Sequence, residues 1–182
     1  MADADPPPPR PLRDRPIALV GLMGAGKSTV GGRLASRLRL PFVDSDDEIE
    51  VAARMSVAEI FDSFGEEAFR DGERRVIARL MSAERQVVAT GGGAWMNDRT
   101  RALLSARALV IWLRADIEVL VARVSRRQHR PLLIGRDPGE VLRALAHNRH
   151  PVYATAHLTV DSDGDPHRTT VDRILDALER LP

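Results

Sequence analysis

The residues best suited to chemistry stand at Gly21-Leu-Met-Gly-Ala-Gly-Lys-Ser28, which fits the spacing G-x-x-x-x-G-K-[ST] without a mismatch. That pattern is the one that holds a nucleoside triphosphate. The glycines let the backbone wrap closely enough for its N–H groups to point at phosphate oxygens. The helix that follows adds its positive N-terminal end. Gly24, Ala25, Gly26 and Thr29 would supply backbone and hydroxyl contacts to ATP, Lys27 would reach the β- and γ-phosphates, and the Ser28 hydroxyl would ligate Mg²⁺. The loop identifies the donor and leaves the acceptor open, because kinases, ATPases and GTPases share it. No N-K-x-D base-reading motif occurs, and the short chain favours a metabolite kinase.

Two further clusters follow predicted strands, at the carboxyl ends where α/β sheets place ligands. In Asp44-Ser-Asp46-Asp47, one carboxylate could hold a metal-bound water and another address an acceptor hydroxyl. The same acids would equally cap a helix starting near Asp47. Gly91-Gly92-Gly93 either exposes backbone N–H groups to a ligand or makes a tight turn. Arg70, Arg123, Arg130 and Arg149 stand among many arginines, and composition does not single them out.

The elements that must position these groups read as an α/β sheet with parallel strands. Candidate strands are Ile17–Val20, Pro41–Val43, Val87–Thr90, Leu109–Leu113 and His157–Val160. Helical stripes lie between them: Val30, Leu34 and Leu38; Val76, Ile77, Leu80 and Met81; Val119, Leu120 and Val124; and a last one from Val171 to Leu181. Residues 1–15 read as a disordered, proline-rich leader, and residues 16–182 as one domain. The Arg-, Pro- and Gly-rich stretch 125–139 has the composition of a lid or of an ordinary surface loop. The 182 residues carry 27 basic and 26 acidic side chains, which leaves no polyanion footprint and argues against nucleic acid as a partner. No apolar run approaches the roughly 20 residues a membrane-spanning helix requires. The leader lacks the basic and apolar regions of a secretory signal, and the chain has no cysteine, so a cytoplasmic protein is expected.

The ordered set GLMGAGKSTVG, DSD, FGEEAFRDGE, ATGGGA, RPLL and NRHPVY closely resembles the shikimate kinase family, from about Pro16 to the C-terminal helix. The P-loop is shared widely; FR-x-x-E, GGG and RPLL together are specific. The resemblance implies a three-layer P-loop fold, a five-stranded parallel sheet flanked by helices with a lid. It implies transfer of the ATP γ-phosphoryl group to the 3-hydroxyl of shikimate, in aromatic amino-acid synthesis. By it, Lys27 meets the transferring phosphate, Ser28 meets Mg²⁺, and Asp44 holds the metal through water. Asp46 corresponds to the acid that binds the shikimate hydroxyls and serves as base or positioner. Arg70 and Arg149 correspond to the pair gripping the substrate carboxylate, a match for a planar fork. Glu73 would orient that arrangement, and Gly91, Gly92 and Gly93 would line the substrate pocket. Arg130 matches the lid arginine over the phosphates, and Arg123 a nucleotide-side arginine. A monomer is expected.

Departures from the family pattern are small. Gly32 replaces a residue that is more often larger and polar, PVY stands for the commoner PLY, and His129 precedes the lid arginine as an incidental loop histidine. Trp95, just past the glycines, reads as core. Two other functions remain to be separated: a related kinase such as one acting on gluconate, and a catalytically idle nucleotide binder. Asp44, Asp46 and Arg130 argue against the idle binder, which needs none of them.

Overall fold

A computed structural model describes residues 10–126, 133, 135–162 and 166–181. Five strands, β1 (Ile17–Val20), β2 (Phe42–Asp44), β3 (Val87–Ala89), β4 (Leu109–Arg114) and β5 (Leu158–Asp161), pair in the order β2-β3-β1-β4-β5. Every pair is parallel, with Ile17 beside both Val87 and Leu109. The strands lie within a residue of the positions expected from apolar runs alone. Runs such as IALV and LVIWL lack polar alternation because helices cover both faces of the sheet.

The covering helices are α1 (Lys27–Leu38), α2 (Ser45–Ala53), α3 (Val57–Ser82), α4 (Asp98–Arg107), α5 (Ile117–Ser125), α6 (Pro138–Tyr153) and α7 (His167–Glu179). The stripes anticipated for α1, α3, α5 and α7 point inward: Val30, Leu34, Ile77, Leu120, Val124, Val171 and Ile174 are all buried. No helix among the described residues is long and apolar enough to cross a membrane.

Two local features differ from expectation, and a kink in α3 adds to them. The chain is ordered before Pro16: Leu12–Asp14 forms a single 3-10 turn, Leu12 packs on the core, and the Arg15 guanidinium donates to the Ser105 carbonyl (3.4 Å). The helix expected near Asp47 starts two residues earlier, because Asp44 rather than Asp47 accepts at its N-cap. Helix α3 is broken at Gly65, whose φ of 78° no helix can hold, so the segment carrying Arg70 and Glu73 starts a fresh run behind the kink. Of the expected lid at 125–139, Ser125 ends α5 and Pro138 begins α6; residues 127–132 and 134 lie outside the described residues.

Helix α1 contains adjacent glycines with opposite environments. A Cβ on Gly31 would stand 2.6 Å from the Phe42 ring, whereas one on Gly32 would meet nothing nearer than 4.0 Å. Gly32→Ala is therefore expected to stabilise the protein by about 0.5–1 kcal/mol, the usual helical gain over glycine. Gly31→Ala should destabilise it by about 1–3 kcal/mol through overpacking. Urea denaturation of the two variants checks the opposite signs.

Candidate active site

The site is assembled at the carboxyl ends of β1, β2 and β3, where the chain leaves the central strands in different directions. Immediately after β1, Gly21 (φ +143°) lies so close to β4 that a Cβ would come 2.6 Å from the Leu113 carbonyl. Gly24 (φ +83°) and Gly26 (φ +91°) complete the turn, and Gly26 caps α1 in the left-handed region. Lys27 is the only lysine in the chain. Its Nζ donates to the carbonyls of Gly21 (2.8 Å) and Leu22 (3.1 Å), which hold it at the mouth of the loop. A compact ammonium with rotatable donors fits that mouth where an arginine's rigid fork does not.

Two of the three acids in the aspartate cluster, Asp44 and Asp46, divide their roles. Asp44 uses one carboxylate oxygen to cap α2, accepting from the Asp46 N–H (3.1 Å), and the other to accept from the Ser28 hydroxyl (2.7 Å). Capping and contact with the P-loop are therefore both true of it, because a carboxylate has two oxygens. The Asp46 side chain turns away from the cap and lies against Gly91, where a Cβ would stand 2.7 Å from its Oδ1. Burial, then the charge of Asp44, raises its carboxyl above the usual aspartate range, while Lys27 pulls the other way.

The glycine run provides clearance for side chains. None of Gly91, Gly92 and Gly93 has a positive φ, so no special turn demands them. Gly91 admits the carboxylates of Asp46 and Glu73, and a Cβ on Gly93 would overlap the Arg70 guanidinium. The Gly92 carbonyl accepts twice, from Arg149 Nη1 (2.9 Å) and from the Tyr153 hydroxyl (2.6 Å). Tyr153 is fully buried, and its phenol is pushed up to about 12 by that burial, so it stays a neutral donor. Glu73 is fully buried and accepts from Arg70 Nη1 (2.8 Å) through Oε2; its Oε1 has no hydrogen-bond partner. Burial raises the Glu73 carboxyl and Arg70 opposes the shift.

Lys27, Ser28, Asp44, Asp46, Gly91, Gly92 and Arg123 line one cavity of about 640 Å³, together with Met23, Arg126, Pro166 and His167. Arg149 reaches this wall from behind, through the Gly92 carbonyl. Arg70 lies past Gly93 and lines a separate polar groove of about 470 Å³ with Arg74, Asn97 and Arg99. The expected carboxylate-gripping pair thus flanks the glycine wall from two sides, each arginine spending donors on protein acceptors. Arg123, on α5, donates to the Gly24 carbonyl (3.2 Å). Trp95 is buried core, its indole N–H donating to the Val152 carbonyl (2.9 Å). Arg130 falls outside the described residues. Tyr153 closes the NRHPVY stretch that carries the family resemblance, whereas Pro166 and His167 belong to no motif that the sequence marks for the site.

Among the described residues no group of three or more His, Asp or Glu converges as a metal site. Mg²⁺ needs no such group, since it keeps water and phosphate oxygens and takes one or two protein ligands. The Ser28 hydroxyl and Asp44 carboxylate, 2.7 Å apart on the cavity wall, are a hard-oxygen pair of that kind.

A family model described as shikimate kinase matches residues 23–179. The shikimate kinase of Caulobacter vibrioides is 55% identical over 170 residues, 93% of this chain and 85% of its own. A solved structure described as shikimate kinase from Acinetobacter baumannii in complex with shikimate superposes with a TM-score of 0.86 at 38% identity, covering 92% of this chain and 96% of that one. A gluconokinase from Sinorhizobium meliloti, at 18% identity and TM-score 0.62 over 94% of both chains, shares the fold alone.

Proposed function

The chain belongs to the shikimate kinase family and is an ATP-dependent kinase acting on shikimate, and we propose that Lys27 and Asp46 carry the transfer while Arg70 and Arg149 grip the acceptor. The observation that carries this division is that Asp46 faces the same cavity as Lys27, its carboxylate against the Gly91 wall. A hydroxyl resting on that wall lies between an acid able to take its proton and the loop that presents the γ-phosphate. Phosphoryl transfer asks mainly for positioning and charge stabilisation, and the cavity supplies both.

Lys27 leaves the Gly21 and Leu22 carbonyls for phosphate oxygens, an exchange of neutral acceptors for charged ones. Gly24, Ala25, Gly26 and Thr29 bind the phosphates, with Arg123 on the nucleotide side and Arg130 assigned to the phosphates by its match to the family's RPLL motif alone. Ser28, and Asp44 through water, would hold Mg²⁺, which would supply positive charge against the phosphates. Asp46 orients the 3-hydroxyl and accepts its proton. Arg149 is anchored through Nη1 at the Gly92 carbonyl, and Arg70 is held in place by Glu73. The working unit of this reading is a monomer, in which Lys27, Ser28, Asp44, Asp46 and Arg123 line one cavity. The near balance of charge gives no support to a nucleic-acid or membrane partner, and a cysteine-free ATP user fits the cytoplasm.

Purified protein is expected to release ADP when ATP, Mg²⁺ and shikimate are all present. If it binds ATP yet gives no shikimate-dependent ADP, the reading fails. Tyr153→Phe removes one of the two donors on the Gly92 carbonyl while keeping the ring in the core. It is expected to raise KM for shikimate about three- to tenfold, the worth of one hydrogen bond, and to leave KM for ATP unchanged. Initial rates over both substrates separate the two constants.

A further inference from the structure

The P-loop can face its N–H groups inward only if its carbonyls face outward and find partners there. Gly26 O accepts from the Val30 N–H within α1 (2.8 Å), and Gly24 O accepts from Arg123 Nη1 (3.2 Å). Ala25 O accepts from the Ser162 hydroxyl (2.9 Å), 137 residues further along the chain. Ser162 is a fully buried polar residue at the end of β5. Its own N–H continues the sheet by donating to the Arg114 carbonyl (2.6 Å), so its hydroxyl is carried by a rigid element. On the next residue of the loop, His167 at the start of α7 stands behind Gly26, with its Cε1 3.2 Å from where a Cβ would be.

The peptide joining Ala25 to Gly26 is the one most in need of such an anchor. In a trans peptide the C=O and N–H point in opposite directions. Gly26, with no Cβ, resists rotation of that plane less than any other residue. We propose that Ser162 is a positioning residue of the nucleotide cradle: its hydroxyl holds the Ala25 carbonyl outward and so aims the Gly26 N–H of the same peptide at the phosphates. Ser162 touches no phosphate itself. The inference rests on the loop being a nucleotide cradle, and it adds the residue just past β5 to the groups that set ATP affinity.

Calorimetric titration of ADP into the full chain tests it, alongside steady-state KM for shikimate and a thermal melt. Ser162→Ala is expected to weaken ADP binding about tenfold, the effect of one lost hydrogen bond, with KM for shikimate unmoved. Ser162→Thr, which keeps the hydroxyl, should restore ADP affinity to within about threefold of the parent. If Ser162→Ala does not fold, Ser162→Cys replaces it, since a thiol keeps the volume and donates only weakly. A folded Ala or Cys variant that binds ADP as tightly as the parent overturns the proposal. So does equal weakening of both substrates, which would mean general loosening. Failure of the parent protein to bind ADP would instead overturn the nucleotide reading itself.

Discussion

Asp46→Asn is expected to lower kcat by about a thousandfold while leaving ADP affinity close to that of the parent, the scale of loss of a positioned general base. Asparagine matches aspartate in size, so the wall at Gly91 is kept. What changes is that the side chain can no longer accept a proton, and its amide turns a donor toward the acceptor hydroxyl. The surroundings prepare this aspartate to act as a base. Burial and the neighbouring Asp44 raise its carboxyl above the ordinary range, and Lys27 keeps it from rising further. A carboxylate so placed is a better base than one free in water. Saturating rates and ADP titration are the measurements. A kcat within tenfold of the parent would show that Asp46 only positions the hydroxyl.

The second large effect is expected of Arg70→Ala, and it has two separable parts. Losing one arm of the carboxylate grip should raise KM for shikimate at least about a hundredfold, consistent with removing a charged partner from a desolvated contact. The other part is stability. Glu73 is fully buried, and Arg70 is its ion-pair partner at 2.8 Å. Removing one partner of such a pair costs about 3–5 kcal/mol, less here because the Arg70 side chain is 21% exposed. The sign with pH follows from which form Arg70 favours. It lowers the pKa of Glu73, opposing the rise caused by burial, so its contribution exists where Glu73 is ionised and is lost as pH falls and the carboxyl is protonated. Arg70→Ala should therefore be most destabilised at neutral pH and approach the parent in acid. Adding Glu73→Gln to it should recover stability without recovering shikimate affinity. Urea melts at two pH values and a KM for the double variant check both parts.

Much of this site is legible in the sequence because its spacing is local. The P-loop is contiguous, and parallel buried strands announce themselves as apolar runs, so the sheet and the phosphate cradle follow from short windows. Asp44 is legible only as an alternative, since spacing cannot tell that one carboxylate both caps α2 and meets Ser28. The gripping arginines need family resemblance, because among so many arginines nothing local marks Arg70 or Arg149. The contacts of Tyr153 and Ser162 leave no trace in the sequence. Each bonds to a backbone carbonyl, 61 and 137 residues away, and a backbone carbonyl has no residue type to recognise. The glycine run reads as ligand contact or turn; it does make a turn, the Ala94 N–H donating to the Gly91 carbonyl (3.1 Å), and the space left by its missing side chains is taken by Asp46, Glu73 and Arg70. The N-terminal turn at Leu12–Asp14 is hidden by the prolines around it, because its order comes from packing on the core rather than from local propensity.

Transfer of phosphate in this cavity from ATP to the 3-hydroxyl of shikimate is tested most directly by phosphorus NMR. The reaction contains limiting ATP, Mg²⁺ and equal amounts of shikimate and gluconate. A single new phosphate ester, coupled to the proton on C3 of shikimate, is the predicted result. A gluconate phosphate, or inorganic phosphate alone, would contradict it.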